Sequence, residues 1–261
     1  GISKAGFDTN AYGLVMGYDR KFAGKSVILG GAFSYNHGSL DSTGDVLKTK
    51  NKYDSFGLHA YGAYAPVDRV NLIGTLSWMH NSSDITQSIN AAGFNKADAD
   101  VKTNLFSLGA RAEANLPVGK ANVIPHAGLR YVWAKSGSYD TKVDGKKVWG
   151  NTPDATNTFQ LPIGVAVRGD IMTVSGWNVR PQADLTFIPQ FGDTEQKTKL
   201  SNFNGVSDKL SGEFAGKFGT SVNLGVQADK GPTTFGVRYG FTAGTKGKAD
   251  HAFKFEYRYR F

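Results

Sequence analysis

The chain ends, over residues 251–261, in the sequence HAFKFEYRYRF, in which aromatic and charged residues alternate. The aromatic positions are Phe253, Phe255, Tyr257, Tyr259 and Phe261, and the charged positions are Lys254, Glu256, Arg258 and Arg260. Successive side chains of an extended strand point to opposite faces, so this strand has one aromatic face and one ionic face. Two interpretations follow. In a soluble sandwich the aromatic face packs in the core, whereas in a membrane protein it meets lipid.

Composition narrows the fold class. The 261 residues include 33 glycines and no cysteine, and 12% are aromatic. Glycine at this level without a triplet repeat, combined with regular apolar alternation, excludes collagen and disorder. The absence of cysteine excludes disulfides and thiolate chemistry. We predict a single domain over residues 1–261.

The net charge of +8 is spread along the chain and forms no basic stripe, so we expect no nucleic-acid partner. No apolar run approaches the roughly 20 residues of a transmembrane helix. The N-terminus lacks a charged-then-apolar signal pattern, and we therefore expect that the sequence is not a complete secretory precursor.

Eleven segments have the alternation of strands, and none has a convincing helical period. They are residues 8–20, 25–36, 53–65, 70–80, 101–115, 122–134, 156–168, 177–190, 213–229, 233–244 and 251–261.

The connections alternate between short and long. Short ones are residues 21–24, 66–69, 116–121, 169–176 and 230–232, and longer polar ones are residues 37–52, 81–100, 135–155 and 191–212. Antiparallel meanders have this regularity when all tight turns lie at one end, as in outer-membrane barrels with periplasmic turns and external loops. Soluble Greek-key sandwiches mix connection lengths and have strands of about 5–6 residues.

The two faces of the strands give the orientation. Turning Lys254, Arg258 and Arg260 toward lipid would cost on the order of 5–10 kcal/mol, so the aromatic face must meet the membrane. We therefore predict an all-β fold, a transmembrane antiparallel up-and-down β-barrel in the bacterial outer membrane.

Two stretches resemble a known family. Residues 12–35, YGLVMGYDRKFAGKSVILGGAFSY, and the aromatic C-terminus are similar to the β-domain of classical autotransporters, which act in type V secretion. The resemblance implies a 12-stranded barrel, a linker helix through the pore and a passenger domain carried to the cell surface. It also implies that the C-terminal aromatic positions form the signal read by the barrel assembly machinery.

The sequence departs from this family in its strand count, because eleven strands are read and residues 1–7 are too short for another. We expect the first strand and the helix to lie upstream; the alternative is a short strand hidden in residues 191–212. An open sheet would leave edges in lipid, which the hydrocarbon core does not tolerate. We expect a monomer in contact with outer-membrane lipid.

Catalytic and metal-binding patterns are weak. The five histidines, His37, His59, His80, His126 and His251, have no metal-ligand spacing, and no GxSxG motif is present. We interpret His59 and His126 as ordinary polar lining of the pore. No enzymatic activity, cofactor or metal is predicted.

Alternation places a set of charged residues toward the lumen, with cations about twice as frequent as anions. The set is Asp19, Arg111, Glu113, Arg130, Arg168, Arg180, Asp184, Lys217, Arg238, Lys254, Glu256, Arg258 and Arg260. It indicates a hydrated cationic channel, or strands joined by interior ion pairs such as Arg180 or Arg258 with Asp184 or Glu256. The resemblance also implies that some family members cut their passenger inside the pore with acidic and asparagine residues. Glu113, Asp184 and Glu256 would be the candidates here, and we make no prediction about cleavage.

These observations predict an outer-membrane translocator that anchors a passenger and mediates its export. The main alternative is a small porin without a passenger. Two others are a barrel-embedded hydrolase that depends on Asp184 or His126, and a soluble β-sandwich binding module.

Overall fold

The computed structural model describes residues 7–22, 26–42, 47–89, 96–193, 195–202, 207–213, 217–244 and 249–259. Its strands are β1 (Phe7–Lys21), β2 (Val27–Ser42), β3 (Leu47–Val67), β4 (Val70–Ile89), β5 (Lys96–Ala114), β6 (Leu116–Val118), β7 (Ala121–Ser136), β8 (Tyr139–Val143), β9 (Lys146–Pro153), β10 (Thr156–Gln160), β11 (Ile163–Gly169), β12 (Ile171–Met172), β13 (Asn178–Gly192), β14 (Glu195–Asn202), β15 (Ser207–Glu213), β16 (Phe218–Lys230), β17 (Thr233–Gly244) and β18 (Ala249–Tyr259). In these residues, no helix has the length and apolar character needed to cross a membrane.

The main sheet is an antiparallel meander. Strand β1 pairs with β2, β2 with β3, β3 with β4 and β4 with β5; β7 follows β5. Strands β10 and β11 pair with both β7 and β13, and β16, β17 and β18 complete the series. In this main sheet each strand pairs with the next one along the meander, which is the up-and-down connectivity of a barrel.

Strands β10 and β11 are one strand with a local break at Leu161 and Pro162. The pairs Gln160–Arg130 and Ile163–Ala127 belong to the same register against β7, so no residue is gained or lost at the break. Proline has no N–H to donate to a ladder, and its presence accounts for the interruption. Counted as one strand, they give the main sheet eleven strands in the described residues, which is the number that the alternation predicts.

The two faces of the sheet are inverted relative to a water-soluble protein. In the described part of the chain the buried polar side chains include Ser34, Ser55, Ser107, Thr186 and Thr234, while the one buried hydrophobic side chain is Ile124. The exposed face carries Leu, Val, Phe, Tyr and Trp along nearly every strand. We call these the inner face and the outer face. An apolar exterior around a polar interior is the arrangement of a transmembrane β-barrel, so the predicted fold class is confirmed.

One end of the barrel has short turns and the other has long connections, as predicted. At the short-turn end, Arg69 in the β3–β4 turn and Gly231 in the β16–β17 turn have positive φ angles of 68° and 56°. The hairpin turns require this left-handed backbone.

At the long-connection end, the structure corrects two expectations. Residues 135–155 and 191–212 are not only loops, because the hairpins β8–β9 and β14–β15 form there and join through β9 and β14. Asp144 and Gly145 provide the left-handed turn of the first hairpin, with φ of 49° and 79°. An Asp-Gly pair between short strands is a standard hairpin signal. It was missed because the flanking segments are polar and were therefore interpreted as a loop. The short strand considered in residues 191–212 is β14, which extends this outlying sheet.

Strands β1 and β18, the first and last of the meander, lie side by side. In the described ranges no ladder register joins them, and Asp19 and Arg258 form an ion pair of 3.3 Å between the two strands. A twelfth strand remains a prediction, as does the single-domain organisation.

Candidate functional site

The inner face gathers most of the predicted charged residues. Arg111 and Arg130 have the same parity along their strands as the buried Ser107 and His126, and Arg238 has that of the buried Thr234. Glu113, Arg180 and Asp184 share the parity of buried residues in the same way. The ladders pair the others with inner-face residues of neighbouring strands: Asp19 with Gly30, Arg168 with Gln182, and Lys254, Glu256 and Arg258 with Arg238, Gly236 and Thr234. Lys217 is exposed and directly precedes β16, and Arg260 lies outside the described residues. The inner face is therefore the candidate functional site.

His126 and Asp184 form the most buried polar contact of this face. Nε2 of His126 lies 2.7 Å from Oδ2 of Asp184, and the His126 side chain is only 2% exposed. Thr186 donates a further hydrogen bond to Asp184. The two residues stand on β7 and β13 with β11 between them. Gly164 of β11 makes the contact possible, because a Cβ there would lie 2.7 Å from the imidazole Cε1.

A second network spans β3, β1 and β18. The Tyr61 hydroxyl donates to Asp19 at 2.9 Å, and Asp19 also accepts from Arg258 at 3.3 Å. Arg258 in turn bonds Glu256 at 3.1 Å. The Tyr61 ring passes over Gly30 of β2, where a Cβ would lie 2.6 Å from the phenol oxygen. Gly30 thus leaves room for the Tyr61 ring as Gly164 leaves room for the His126 ring.

The ion pairs differ in part from those predicted. Arg258 does pair with Glu256, but the partner of Arg180 is Asp229, which was not among the predicted residues. Thr234 and Gln227 donate to Asp229 at 2.6 and 3.1 Å. Alternation could have identified Asp229, because it continues the polar parity of Asn223 and Gln227 along β16. The anions of this face are therefore more numerous than expected.

His59 joins two serines on the inner face. Its Nε2 lies 2.8 Å from Oγ of Ser34, and its Nδ1 lies 2.8 Å from Oγ of Ser77. The three residues occupy adjacent strands, β2, β3 and β4. Within the described ranges, no group of three His, Cys, Asp or Glu side chains has the arrangement of a metal site. These contacts are those of a hydrogen-bonded polar wall.

Among the residues that the structure describes, Arg168, Arg238 and Lys254 of the inner face have neither an acidic partner nor a side-chain hydrogen bond. Arg111 is paired with Glu113 at 3.1 Å, and Arg130 donates to Ser107 at 3.3 Å. Because the paired charges largely cancel, the unpaired cations dominate the local field of the wall near β11, β17 and β18.

The outer face carries the C-terminal aromatic positions. The side chains of Phe253, Phe255, Tyr257 and Tyr259 are 62%, 54%, 47% and 42% exposed. The ring of Tyr257 lies 5.2 Å from the ring of Phe235 on β17. Phe261 lies outside the described residues.

Comparison with known proteins gives a consistent result. A family model described as the autotransporter beta-domain matches residues 2–240. No curated protein matches the sequence. Three solved structures share the fold at low sequence identity and over 98% of this chain. The β-domain of the Bordetella autotransporter BrkA is 18% identical, with 92% of its own chain covered and a TM-score of 0.70.

The other two structures come from further bacteria. The translocator domain of the autotransporter NalP from Neisseria meningitidis is 18% identical, with 82% of its chain covered and a TM-score of 0.66. The transport unit of the autotransporter AIDA-I from Escherichia coli is 14% identical, with 84% covered and a TM-score of 0.67. At these identities the likeness to the three structures concerns the fold.

Proposed function

The chain belongs to the autotransporter beta-domain family and is an outer-membrane β-barrel, and from that premise we propose that it translocates and anchors a passenger domain. The passenger would be joined to its N-terminal side through a linker that occupies the barrel. The short-turn end would face the periplasm, and the long-connection end with its β8–β9 and β14–β15 hairpins would face the medium.

The polar inner face is the observation that carries this proposal. A polypeptide that moves through the barrel needs an inner face that offers hydrogen bonds and charge and few apolar contacts, because apolar contacts would retain it. Ile124 is the one buried hydrophobic residue in the described ranges, and polar side chains and glycine occupy most other inner positions. An extended polypeptide would therefore find little continuous hydrophobic surface to bind to.

The outer face supports membrane anchoring. Its exposed apolar side chains provide the band that a barrel presents to lipid, and outward aromatic residues suit the membrane–water interface. We infer that the barrel works as a monomer in contact with outer-membrane lipid. We further infer that the barrel assembly machinery reads β18, whose alternate positions Phe253, Phe255, Tyr257 and Tyr259 all project outward.

Positioning, not covalent chemistry, is the mechanism proposed for export. The described inner face contains hydrogen-bonded polar networks and ion pairs, and a serine–histidine contact such as Ser34–His59 stabilises the wall. The free energy for export would come from passenger folding and from barrel assembly.

Surface display of the upstream segment tests the proposal. An epitope tag placed before Gly1 in the full-length protein is expected to bind antibody on intact cells, and to be removed by protease added outside. A tag that is reached only after the outer membrane is opened would contradict export. Retention of a signal-peptide junction directly before Gly1 would favour a porin without a passenger.

A further inference from the structure

Arg238 of β17 and Lys254 of β18 are directly opposed on the inner face, as partners in the β17–β18 ladder. Both side chains are exposed. Like charges at opposed positions destabilise an antiparallel pair. In the part of the chain that the structure describes, neither residue has an acidic partner or a side-chain hydrogen bond. This pair is therefore an uncompensated positive charge within the barrel.

The acidic groups around the pair are engaged with other residues. Glu113 and Asp184, which line a cavity with Arg238, pair with Arg111 and contact His126, respectively. Glu256, which follows Lys254 on the same face of β18, bonds Arg258 at 3.1 Å. Asp19 accepts from both Tyr61 and Arg258. Glu256 and Asp19 thus both interact with Arg258. Arg238 and Lys254 therefore remain able to bind a different anion.

Open space adjoins the pair on both sides. Arg238 and Lys254 line a cavity of about 290 Å³ together with Tyr61 and Arg258. Arg238 also lines a second cavity, of about 310 Å³, to which Arg168 contributes. A group that enters either cavity would meet at least two cations, together with the Glu256 carboxylate in the first cavity and the Glu113 and Asp184 carboxylates in the second.

We propose that Arg238 and Lys254 form a site on the inner wall that binds carboxylate groups of the polypeptide passing through the barrel. This inference rests on the proposed function. The arginine guanidinium offers a planar pair of donors that matches a carboxylate, and the lysine ammonium adds a point charge beside it. Acidic stretches of the passenger or of its linker are the expected occupants, held reversibly in a hydrated setting.

Binding of a labelled peptide tests the site directly. Fluorescein-labelled deca-glutamate is titrated with the full-length protein, purified in a neutral detergent, and its anisotropy is recorded. We expect saturable binding that weakens with salt. Replacing both residues, Arg238→Gln with Lys254→Gln, is expected to weaken binding about tenfold or more, as for the loss of a charge-assisted contact.

A matched variant controls for overall charge. Lys120→Gln with Lys146→Gln removes the same two positive charges from exposed positions in a turn and in the β8–β9 hairpin, and should leave binding unchanged. The variant Arg238→Lys should retain part of the affinity. A melting curve followed by circular dichroism establishes that each variant is folded.

Several outcomes would overturn the site. They are equal binding of deca-glutamine, equal weakening by the control variant, or no loss with the double variant. Surface display of the tagged passenger separates this inference from the proposed function. If display is intact and the peptide result is negative, only the site fails; if display fails in the unaltered protein, the translocator function fails.

Discussion

At the scale of single residues, two inner-face glycines determine which polar side chains meet. Gly164 is paired with His126 on one side and with Thr186, which donates to Asp184, on the other, and Gly30 lies between Tyr61 and Asp19. In each case the side chain of one strand crosses the intervening strand to reach the next but one. A residue with a Cβ would block the path. The two glycines therefore leave the space that contacts across three strands require.

Gly164→Ala is expected to destabilise the barrel by about 1–3 kcal/mol, because the added Cβ collides with the Leu185 carbonyl oxygen and with the His126 ring. The matched control is Gly74→Ala on the outer face, where a Cβ has no neighbour within 4 Å. Its expected effect is within about 0.5 kcal/mol. Urea unfolding in detergent measures both. Equal midpoints for the two variants would contradict the steric role of Gly164.

Asp184→Ala tests the buried contact itself. The variant leaves the nearly inaccessible His126 without its partner, and we expect a loss of about 1–3 kcal/mol in the free energy of unfolding. Asp140→Ala provides the comparison, since it breaks the Lys147–Asp140 pair whose side chains are 50% and 44% exposed. That loss should stay below about 1 kcal/mol. A reversed order in the two unfolding free energies would be inconsistent with burial as the cause.

At the scale of the element, β18 is distinguished by its unbroken aromatic outer face. Strand β17 has a similar face, with Phe235, Val237 and Tyr239 outward, and Phe235 pairs directly with Tyr257. The two strands therefore differ little in what they offer to lipid. Recognition by the assembly machinery would be the property that separates them.

Tyr257→Ala and Phe235→Ala remove the two partners of the same ring contact. Loss of packing is shared by both variants, so a larger drop in outer-membrane barrel for Tyr257→Ala would come from impaired recognition of β18. We expect that drop to be several-fold, measured as folded barrel per cell by immunoblotting of membrane fractions. Similar levels of the two variants would argue against a signal in β18.

At the scale of the whole molecule, the inversion of polarity sets the orientation toward lipid and water. Spin labels placed one residue apart test it, because Val237 projects outward and Arg238 inward on the same strand. A label at Val237 is expected to be relaxed by a lipid-borne quencher, and one at Arg238 by a water-soluble quencher. Tyr257 and Arg258 form a second such pair. If the label at Val237 responded to the water-soluble quencher and the label at Arg238 to the lipid-borne quencher, the inner face and not the outer face would contact the membrane.

Much of the architecture was predictable, because the alternation of side chains is a local property with a period of two residues. The sequence by itself determined the eleven main strands, the outward side of Val237 or Tyr257, and the short-turn end of the barrel. It also brought most of the inner charges to one face, since parity is read along each strand alone. The hairpins β8–β9 and β14–β15 were not predicted because their polar segments lack an apolar stripe.

Only the tertiary structure decided which of these charges meet. Arg180 pairs with Asp229 and not with Asp184, His126 reaches Asp184 across β11, and Arg238 faces Lys254 with no counter-ion among the described residues. Each contact depends on the register between strands that are separate in the chain. Moving one strand by two residues would preserve every face and exchange every partner, so no pattern within a single strand contains that information.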